Sequence, residues 1–198
     1  METITTAANV IGECFVNYPA NRAIYDGIGR PKELIALHSE IQLKFAIKQN
    51  GLYLLEDNPQ ALMVGFERKN KSRLRELFMF LKIIRATLRF LSRKEVKILK
   101  KNLKAHKDLF SLTWPKEFVK GNYFRIEVIA IAEELRGTGA FRRLLSPVIQ
   151  SCENKGLPIV LETHDERNVK IYEHFGFEVA KVLEQDGVEI KGYCMIRR

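Results

Sequence analysis

An apolar segment that runs into a glycine-containing loop and then into an amphipathic segment constrains the fold of this chain more than any other feature. The apolar segment predicts a strand over residues 123–131, the loop covers 137–139, and a helix is predicted over 140–154. The first N–H groups of a helix have no partner within it and lie at the positive end of its dipole. With the conformational freedom of Gly137 and Gly139, they form a cradle for an anion such as a pyrophosphate. Taken alone, the pattern is equally compatible with a connection that binds nothing.

Strands and helices alternate around this loop in the rest of the sequence. Within residues 1–50 we predict two helices, the second of which begins at Pro31. A hairpin is predicted over 51–67. After the loop we predict a strand over 158–162, a helix over 168–175 and strands over 178–183 and 189–196, the last two joined at Asp186-Gly187. This order requires an α/β or α+β sheet with covering helices. The 198 residues are enough for one core, so we predict a single domain over 1–198.

A strongly basic segment interrupts this pattern. Residues 67–107 contain fifteen Lys and Arg against three Glu, a net charge of +12, whereas the whole chain carries +9. Leu77, Leu81, Ile84, Leu88 and Leu91 recur at helical spacing, and Ser92 is placed to cap a second helix over 93–111. We therefore predict a basic helical insertion over about 69–116. The aromatic residues of the segment are expected close to its apolar face rather than exposed as stacking platforms.

Composition limits the classes of protein to which this chain can belong. The three cysteines, Cys14, Cys152 and Cys194, show no disulfide or metal-site spacing, so we expect reduced thiols, no metal ion and a cytoplasmic location. The N-terminal residues show no signal-peptide pattern. The most apolar run, 77–91, is too short and too charged to span a bilayer.

Two motifs resemble those of the GNAT N-acetyltransferase superfamily. Arg136 and Gly139, between a strand and a Leu-Leu helix, are similar to its Arg-x-x-Gly-x-Gly/Ala acetyl-CoA motif, although Phe141 stands where the motif ends in a small residue. About thirty residues later, 161–177 is similar to a second signature with an Asn, a Tyr and a terminal Gly-Phe. The spacing looks most like that of bacterial puromycin N-acetyltransferase-like members. The resemblance is strong over 122–198 and loose over 1–68, and we recognise no family segment in the insertion.

The resemblance implies a GNAT fold and acetyl-CoA as co-substrate. The fold is an α/β one with a central mixed, mostly antiparallel sheet flanked by helices, in which strands 123–131 and 158–162 run parallel and separate. The acetyl-CoA-binding core would cover about 122–198, with the pyrophosphate on the loop and the pantetheine on the preceding strand. The implied cofactor-binding residues are Ile129, Ala130, Ile131, Arg136, Gly137, Thr138, Gly139, Ala140, Phe141, Arg142, Asn168 and Tyr172.

Two catalytic residues are predicted. Tyr172 lies where the superfamily carries a tyrosine that protonates the departing thiolate, although a tyrosine of the core is the alternative. Glu127, the one acid within the apolar strand, is a candidate base that removes a proton from the acceptor's ammonium group so that the neutral amine can attack. Its parity predicts a face shared with Ile129 and Ile131, and an edge acid paired with a cation is the alternative. His164 and His174 lie in polar stretches and are expected to be solvated. No cysteine is placed beside an activating base, which predicts direct transfer without an acetyl-enzyme.

The acceptor is not encoded in either motif. We expect a primary amine of a small molecule, and a homodimer is compatible with the sequence. Alternatives are an acetyl-CoA-binding regulatory domain, or a module that binds nucleic acid or an anionic surface through the helices of 67–107. We expect no binding to nucleic acid. Asn168 is predicted to contact the cofactor or to cap its helix, and the two roles can coexist.

Overall fold

A computed structural model describes residues 2–111 and 113–198. Its helices are α1 Glu2–Val16, α2 Pro19–Ile24, α3 Pro31–Ile47, α4 Arg73–Phe90, α5 Arg93–Ala105, α6 Pro115–Phe118, α7 Ala140–Asn154 and α8 Glu166–His174. Short 3-10 turns cover Arg68–Asn70, Lys107–Leu109 and Glu133–Leu135.

The strands form a single six-stranded sheet. They are β1 Leu52–Leu55, β2 Asn58–Glu67, β3 Phe124–Ile131, β4 Ile159–Thr163, β5 Glu178–Gln185 and β6 Val188–Arg197. Their order is β1-β2-β3-β4-β6-β5, and each neighbouring pair is antiparallel except β3 and β4. The predicted mixed, mostly antiparallel sheet flanked by helices is therefore confirmed.

Local signals in the sequence fix most element boundaries. Pro31 begins α3 as its first residue, where its missing N–H costs no hydrogen bond. Ser92 caps α5 in a capping box with Glu95, as its sequence predicts. Two boundaries differ from prediction: α1 begins at Glu2, before the threonines expected to cap it, and α5 ends at Ala105 rather than near 111.

Two apolar layers cover the sheet. On one face, α1 and α3 pack on Leu62, Val64 and Ala130. On the other face, α7 packs on Met63, Ile126 and neighbouring strand residues. The opposite orientation of neighbouring residues on β2 and β3 places each layer on its own side of the sheet.

The parallel strands β3 and β4 separate soon after they meet. They pair at Phe124 with Ile159 and at Arg125 with Val160, and the register of the two strands goes no further. The rest of β3 therefore presents its backbone to an opening in the sheet. Separation of these two strands was predicted and is confirmed.

The insertion folds as predicted into helices, α4 and α5. On the inner side of α4, His38 of α3 contacts Thr87, with 2.7 Å between Nε2 and Oγ1. Thr87 donates its own proton to the carbonyl of Ile83, so Nε2 of His38 is the donor in this contact. Within the described residues, no helix is long and apolar enough to cross a membrane.

Candidate functional site

A groove of about 600 Å³, which we call the cofactor groove, follows the opening between β3 and β4. One side is formed by Ile129 and Ile131 of β3 and by the loop before α7. Residues of α8, among them Asn168 and Tyr172, form the opposite side. Cys14 and Phe15 of α1, with Tyr18 just beyond it, close the N-terminal side of the groove.

Most of the predicted cofactor residues come together in this groove. Those that line it are Ile129, Ile131, Arg136, Gly137, Gly139, Ala140, Phe141, Arg142, Asn168 and Tyr172. Two do not. Ala130 is buried in the core on the opposite face of the sheet, and the Thr138 hydroxyl donates to the carbonyl of Leu135 at 2.8 Å. Neither Ala130 nor Thr138 therefore lines the groove.

The loop has the backbone geometry that its glycines predict. Gly137 and Gly139 have φ angles of 76° and 79°, in the left-handed region that side chains other than glycine rarely adopt. Gly139 is the N-cap of α7, so the N–H groups of the first turn begin at the groove. Arg136 is anchored by its Nε to the carbonyl of Ile131 at 3.3 Å. The loop therefore offers backbone donors and a positive charge on one wall.

Phe141, the residue that departs from the family motif, packs against the opposite wall. Its ring centroid lies 5.9 Å from that of Tyr172 and 5.3 Å from that of Phe175. Arg142 lies over the same Phe175 ring and contacts His174 at 2.9 Å. The bulky residue thus fills space between α7 and α8, where it fixes the position of the tyrosine ring.

The hydroxyl group of Tyr172 is held in its neutral form. Burial raises its pKa above the usual value of a tyrosine, and the neighbouring Tyr18 raises it further. Its ring is packed between Phe141 and Phe177. A tyrosine that keeps its proton at neutral pH is suited to donate it rather than to act as a base.

Tyr18 is a residue of the groove that sequence reasoning missed. Its hydroxyl lies 2.9 Å from Oγ1 of Thr163 and accepts a hydrogen bond from the N–H of His164. Burial raises the pKa of Tyr18 as well. The sequence marks Tyr18 only as the residue before Pro19, which indicates a helix end and gives no sign of this contact.

His164 was expected at the surface, and this prediction is wrong. It is buried, and its Nε2 donates to the carbonyl of Leu109 at 2.9 Å. Burial lowers its pKa. The polar neighbours suggested exposure, but the 3-10 turn Lys107–Leu109 folds back over the end of β4 and supplies the acceptor.

Asn168 lies in the groove and does not cap its helix. The N-cap of α8 is Asp165, whose carboxylate accepts from the N–H of Arg167 at 3.0 Å. Asn168 instead reaches Oγ1 of Thr163 with its amide at 3.4 Å. Of the two predicted roles, capping is therefore excluded, and the amide faces the groove.

Glu127 does not share a face with Ile129 and Ile131, which corrects the sequence prediction. A bulge in β3 places Val128 opposite Val64 and Ile126 opposite Gly65, so the alternation shifts at Glu127. Its carboxylate pairs with Lys71 in a separate cleft that shares no lining residue with the cofactor groove. Lys71 also pairs with Glu76 at 2.8 Å.

The three cysteines differ in environment. Burial raises the pKa of Cys152 to about 11 and that of Cys194 to about 12, so both are thiols at neutral pH. Cys14 lies in the cofactor groove, where its Sγ donates to the carbonyl of Ile131 at 3.3 Å. In the described parts of the chain, no group of three or more His, Cys, Asp or Glu residues could hold a metal ion.

Comparison with known proteins relates the C-terminal half of the chain to one family. The family model described as an acetyltransferase (GNAT) domain matches residues 99–196. An uncharacterised N-acetyltransferase of Schizosaccharomyces pombe is 35% identical over 71 residues, which are 35% of this chain and 29% of that protein. The chain thus aligns with less than a third of the length of that relative.

Two solved structures share the fold over nearly the whole chain. Arylalkylamine N-acetyltransferase 2 from Aedes aegypti is 16% identical, with a TM-score of 0.55 and coverage of 96% of this chain and 93% of the other. A structure described as histone acetyltransferase HPA2 and related acetyltransferase, from Corynebacterium glutamicum, is 15% identical, with a TM-score of 0.61 and coverage of 100% and 91%. At these identities the similarity shows the fold. The family-model match shows that residues 99–196 are similar to a GNAT acetyltransferase domain.

Proposed function

We propose that the chain is an N-acetyltransferase that moves the acetyl group of acetyl-CoA directly to a primary amine of a small molecule. The observation that supports this most strongly is the cofactor groove, which joins a helix N-terminus behind Gly139 to the half-buried side chain of Tyr172. The names of the relatives from S. pombe and A. aegypti agree with this activity. From the motif spacing we place the chain near the bacterial puromycin N-acetyltransferase-like members.

The residues of the groove fit acetyl-CoA as a co-substrate. The N–H groups of 137–142 would bind its pyrophosphate, with Arg136 and Arg142 supplying positive charge. Beyond Arg125 the backbone of β3 has no partner on β4, so Ile129 and Ile131 are placed to pair with the pantetheine amides. Asn168 would contact the pantetheine from the α8 side.

Tyr172 and Glu127 would move the protons of the reaction. In our proposal Tyr172 donates its proton to the departing sulfur; the raised pKa of Tyr172 means that its hydroxyl carries this proton at neutral pH. A backbone N–H near Ile129 or Ile131 would stabilise the oxyanion. Glu127 lies beyond the last paired residues of β3 and β4, in a cleft that shares no lining residue with the cofactor groove. In our proposal Glu127 therefore takes the proton of the acceptor's ammonium group through water.

Direct transfer requires that no cysteine carries the acetyl group. Cys152 and Cys194 keep their protons. Cys14 lies in the groove, where its Sγ donates to the carbonyl of Ile131 and accepts from Arg136 at 3.7 Å, so it is the cysteine on which the test bears most directly. Mass spectrometry of the protein incubated with acetyl-CoA alone tests this point. We expect no stoichiometric adduct, and a turnover-competent acetyl-cysteine would contradict direct transfer.

A panel of amines tests the proposed activity itself. Polyamines, arylalkylamines, amino acids, aminoglycosides and peptide N-termini would each be incubated with acetyl-CoA while thiol release is followed. We expect acceptor-dependent release with at least one small primary amine. If the protein binds CoA but no amine of the panel causes thiol release, the enzymatic proposal is contradicted and a regulatory acetyl-CoA-binding role is favoured.

A further inference from the structure

The outward face of α4 carries a continuous apolar surface, which we call the apolar stripe. Its members are 43% to 71% exposed. They are Leu74, Leu77, Phe78, Phe80, Leu81, Ile84 and Leu88. The sequence predicts an amphipathic helix here, and it is the outward side of that helix that is apolar. Large exposed apolar surfaces mark contact sites on soluble proteins.

The apolar stripe is not an unfilled part of the core. On its inner side, α4 packs against α3 through Met79 and Ile83, and Phe90 at its end joins the cluster around Leu91. The helix is therefore already held to the protein by a different set of residues. Substitution of stripe residues should leave the fold intact, since their side chains contact solvent in this structure.

A basic groove of about 670 Å³ runs beside the stripe, between α3 and α4. Its floor is apolar and includes Ile41, Phe45 and Met79, and Phe78 of the stripe reaches into it. Six cations line it, Lys44, Lys48, Arg75, Lys82, Arg85 and Arg89, and none of its described lining residues is acidic. Of these, Lys44 pairs with Glu40, whereas Lys82, Arg85 and Arg89 have no acidic partner among the described residues.

The chemistry of this surface identifies its partner. A second copy of the chain would bring its own acid-poor basic segment of net charge +12 against the first, so the charges would oppose association. Phe78 and Phe80 are 63% and 43% exposed, so the expectation that these rings are not exposed is wrong. Nucleic acid would match the charge, but the other five of the seven stripe residues are aliphatic and offer neither hydrogen bonds nor a ring for stacking. A lipid surface with anionic headgroups accepts both features, apolar side chains at the acyl boundary and cations at the phosphates.

We propose that α4 docks the protein on the surface of an anionic phospholipid bilayer. The apolar stripe enters the boundary between headgroups and acyl chains, and Arg85 and Arg89, with the basic groove behind them, bind the phosphates. Each basic residue near such a surface adds attraction that salt screens. The helix lies on the membrane rather than across it, in line with its length and charge.

Vesicle flotation tests this proposal with the whole chain. The probes are vesicles of phosphatidylcholine alone and vesicles of phosphatidylcholine mixed with an equal amount of phosphatidylglycerol. We expect binding to the anionic vesicles, loss of binding at about 1 M salt and little binding to neutral vesicles. Ile84→Asp tests the stripe, and Arg85→Glu with Arg89→Glu tests the charge. Each should weaken binding at least about tenfold.

A matched control variant makes the same change in net charge at two positions outside α4. Lys120→Glu with Lys170→Glu reverses two exposed cations outside α4 and should retain most of the binding. Circular dichroism and thermal unfolding should be unchanged in each variant. The proposal is overturned if the anionic vesicles are not bound, or if the stripe and control variants bind them alike. It is also overturned if α4 instead mediates a dimer that Ile84→Asp dissociates, or if the protein binds an oligonucleotide equally well with and without Ile84→Asp.

Discussion

The hydroxyl group of Tyr18 lies 2.9 Å from that of Thr163, and this contact joins the N-terminal helices to the end of β4. The same hydroxyl accepts the N–H of His164, so one side chain satisfies two polar groups at the edge of the cofactor groove. Two segments separated by 145 residues along the chain are fixed to each other there. The N-terminal wall of the groove depends on this contact.

Tyr18→Phe should therefore destabilise the protein. Removing the hydroxyl leaves a buried N–H without its acceptor, which costs about 1–3 kcal/mol. Urea unfolding measures the change in free energy. Tyr25→Phe is the control, because Tyr25 is also partly buried but makes no side-chain hydrogen bond among the described residues; its effect should be below about 0.5 kcal/mol. Equal stabilities of the two variants would contradict this account.

Tyr172→Phe should lower kcat by about 10²–10⁴-fold, because the departing sulfur loses its proton donor. The affinity for CoA should change little, since the ring that packs on Phe141 and Phe177 is retained. Steady-state kinetics and calorimetry separate the two effects. Tyr53→Phe makes the same change in the neighbouring core, where Tyr53 packs on Phe124 outside the groove. A kcat of Tyr172→Phe equal to that of this control would exclude Tyr172 as the acid.

Glu127→Gln should slow transfer at neutral pH and less at high pH. A lysine-like amine has a pKa of about 10.4, so it needs a base at pH 7 and loses its proton unaided near pH 10. In a pH–rate profile of kcat/KM, the difference between Glu127→Gln and the parent should therefore shrink as the pH rises. Glu76→Gln is the matched control, because Glu76 pairs with the same Lys71. If both variants show the same profile, the role of Glu127 is limited to holding Lys71.

His38 should make stability depend on pH. Burial lowers its folded-state pKa from 6.5 to about 4. Between these values the unfolded chain binds a proton that the folded protein does not, so stability falls as the pH drops from about 6.5 to about 4, by up to about 3 kcal/mol. His38→Gln keeps a donor for Thr87 and cannot titrate. Urea unfolding at several pH values should show that the free energy of unfolding falls more steeply with decreasing pH in the parent than in His38→Gln. Equal pH dependence in the two proteins would contradict this role of His38.

Local sequence signals predicted the elements of this fold well. Pro31, Ser92 and the Asp186-Gly187 turn each act within a few residues, so their effects are readable from the sequence. The two motifs likewise placed Gly139 and Tyr172 in one groove, because a strand, a loop and a helix follow one another along the chain.

Features that depend on distant contacts were not readable. The bulge at Glu127 arises where β3 meets Gly65 of β2, a position at which any Cβ would lie 2.6 Å from the Phe124 ring. The burial of His164 depends on a carbonyl 55 residues away. Periodicity predicted the apolar side of α4, but only the packing of Met79 shows that the other side faces the protein.

The central claim is that acetyl-CoA binds at the N-terminus of α7. Calorimetric titration of CoA into the parent, Gly139→Asp and Gly156→Asp tests it most directly. Both glycines have a positive φ and open space where a Cβ would stand, so the two variants share the backbone strain, but only Gly139 faces the groove. A carboxylate at Gly139 would oppose the pyrophosphate, and we expect CoA affinity to fall at least about a hundredfold, with Gly156→Asp close to the parent. A folded Gly139→Asp protein that binds CoA as tightly as the parent would contradict the account.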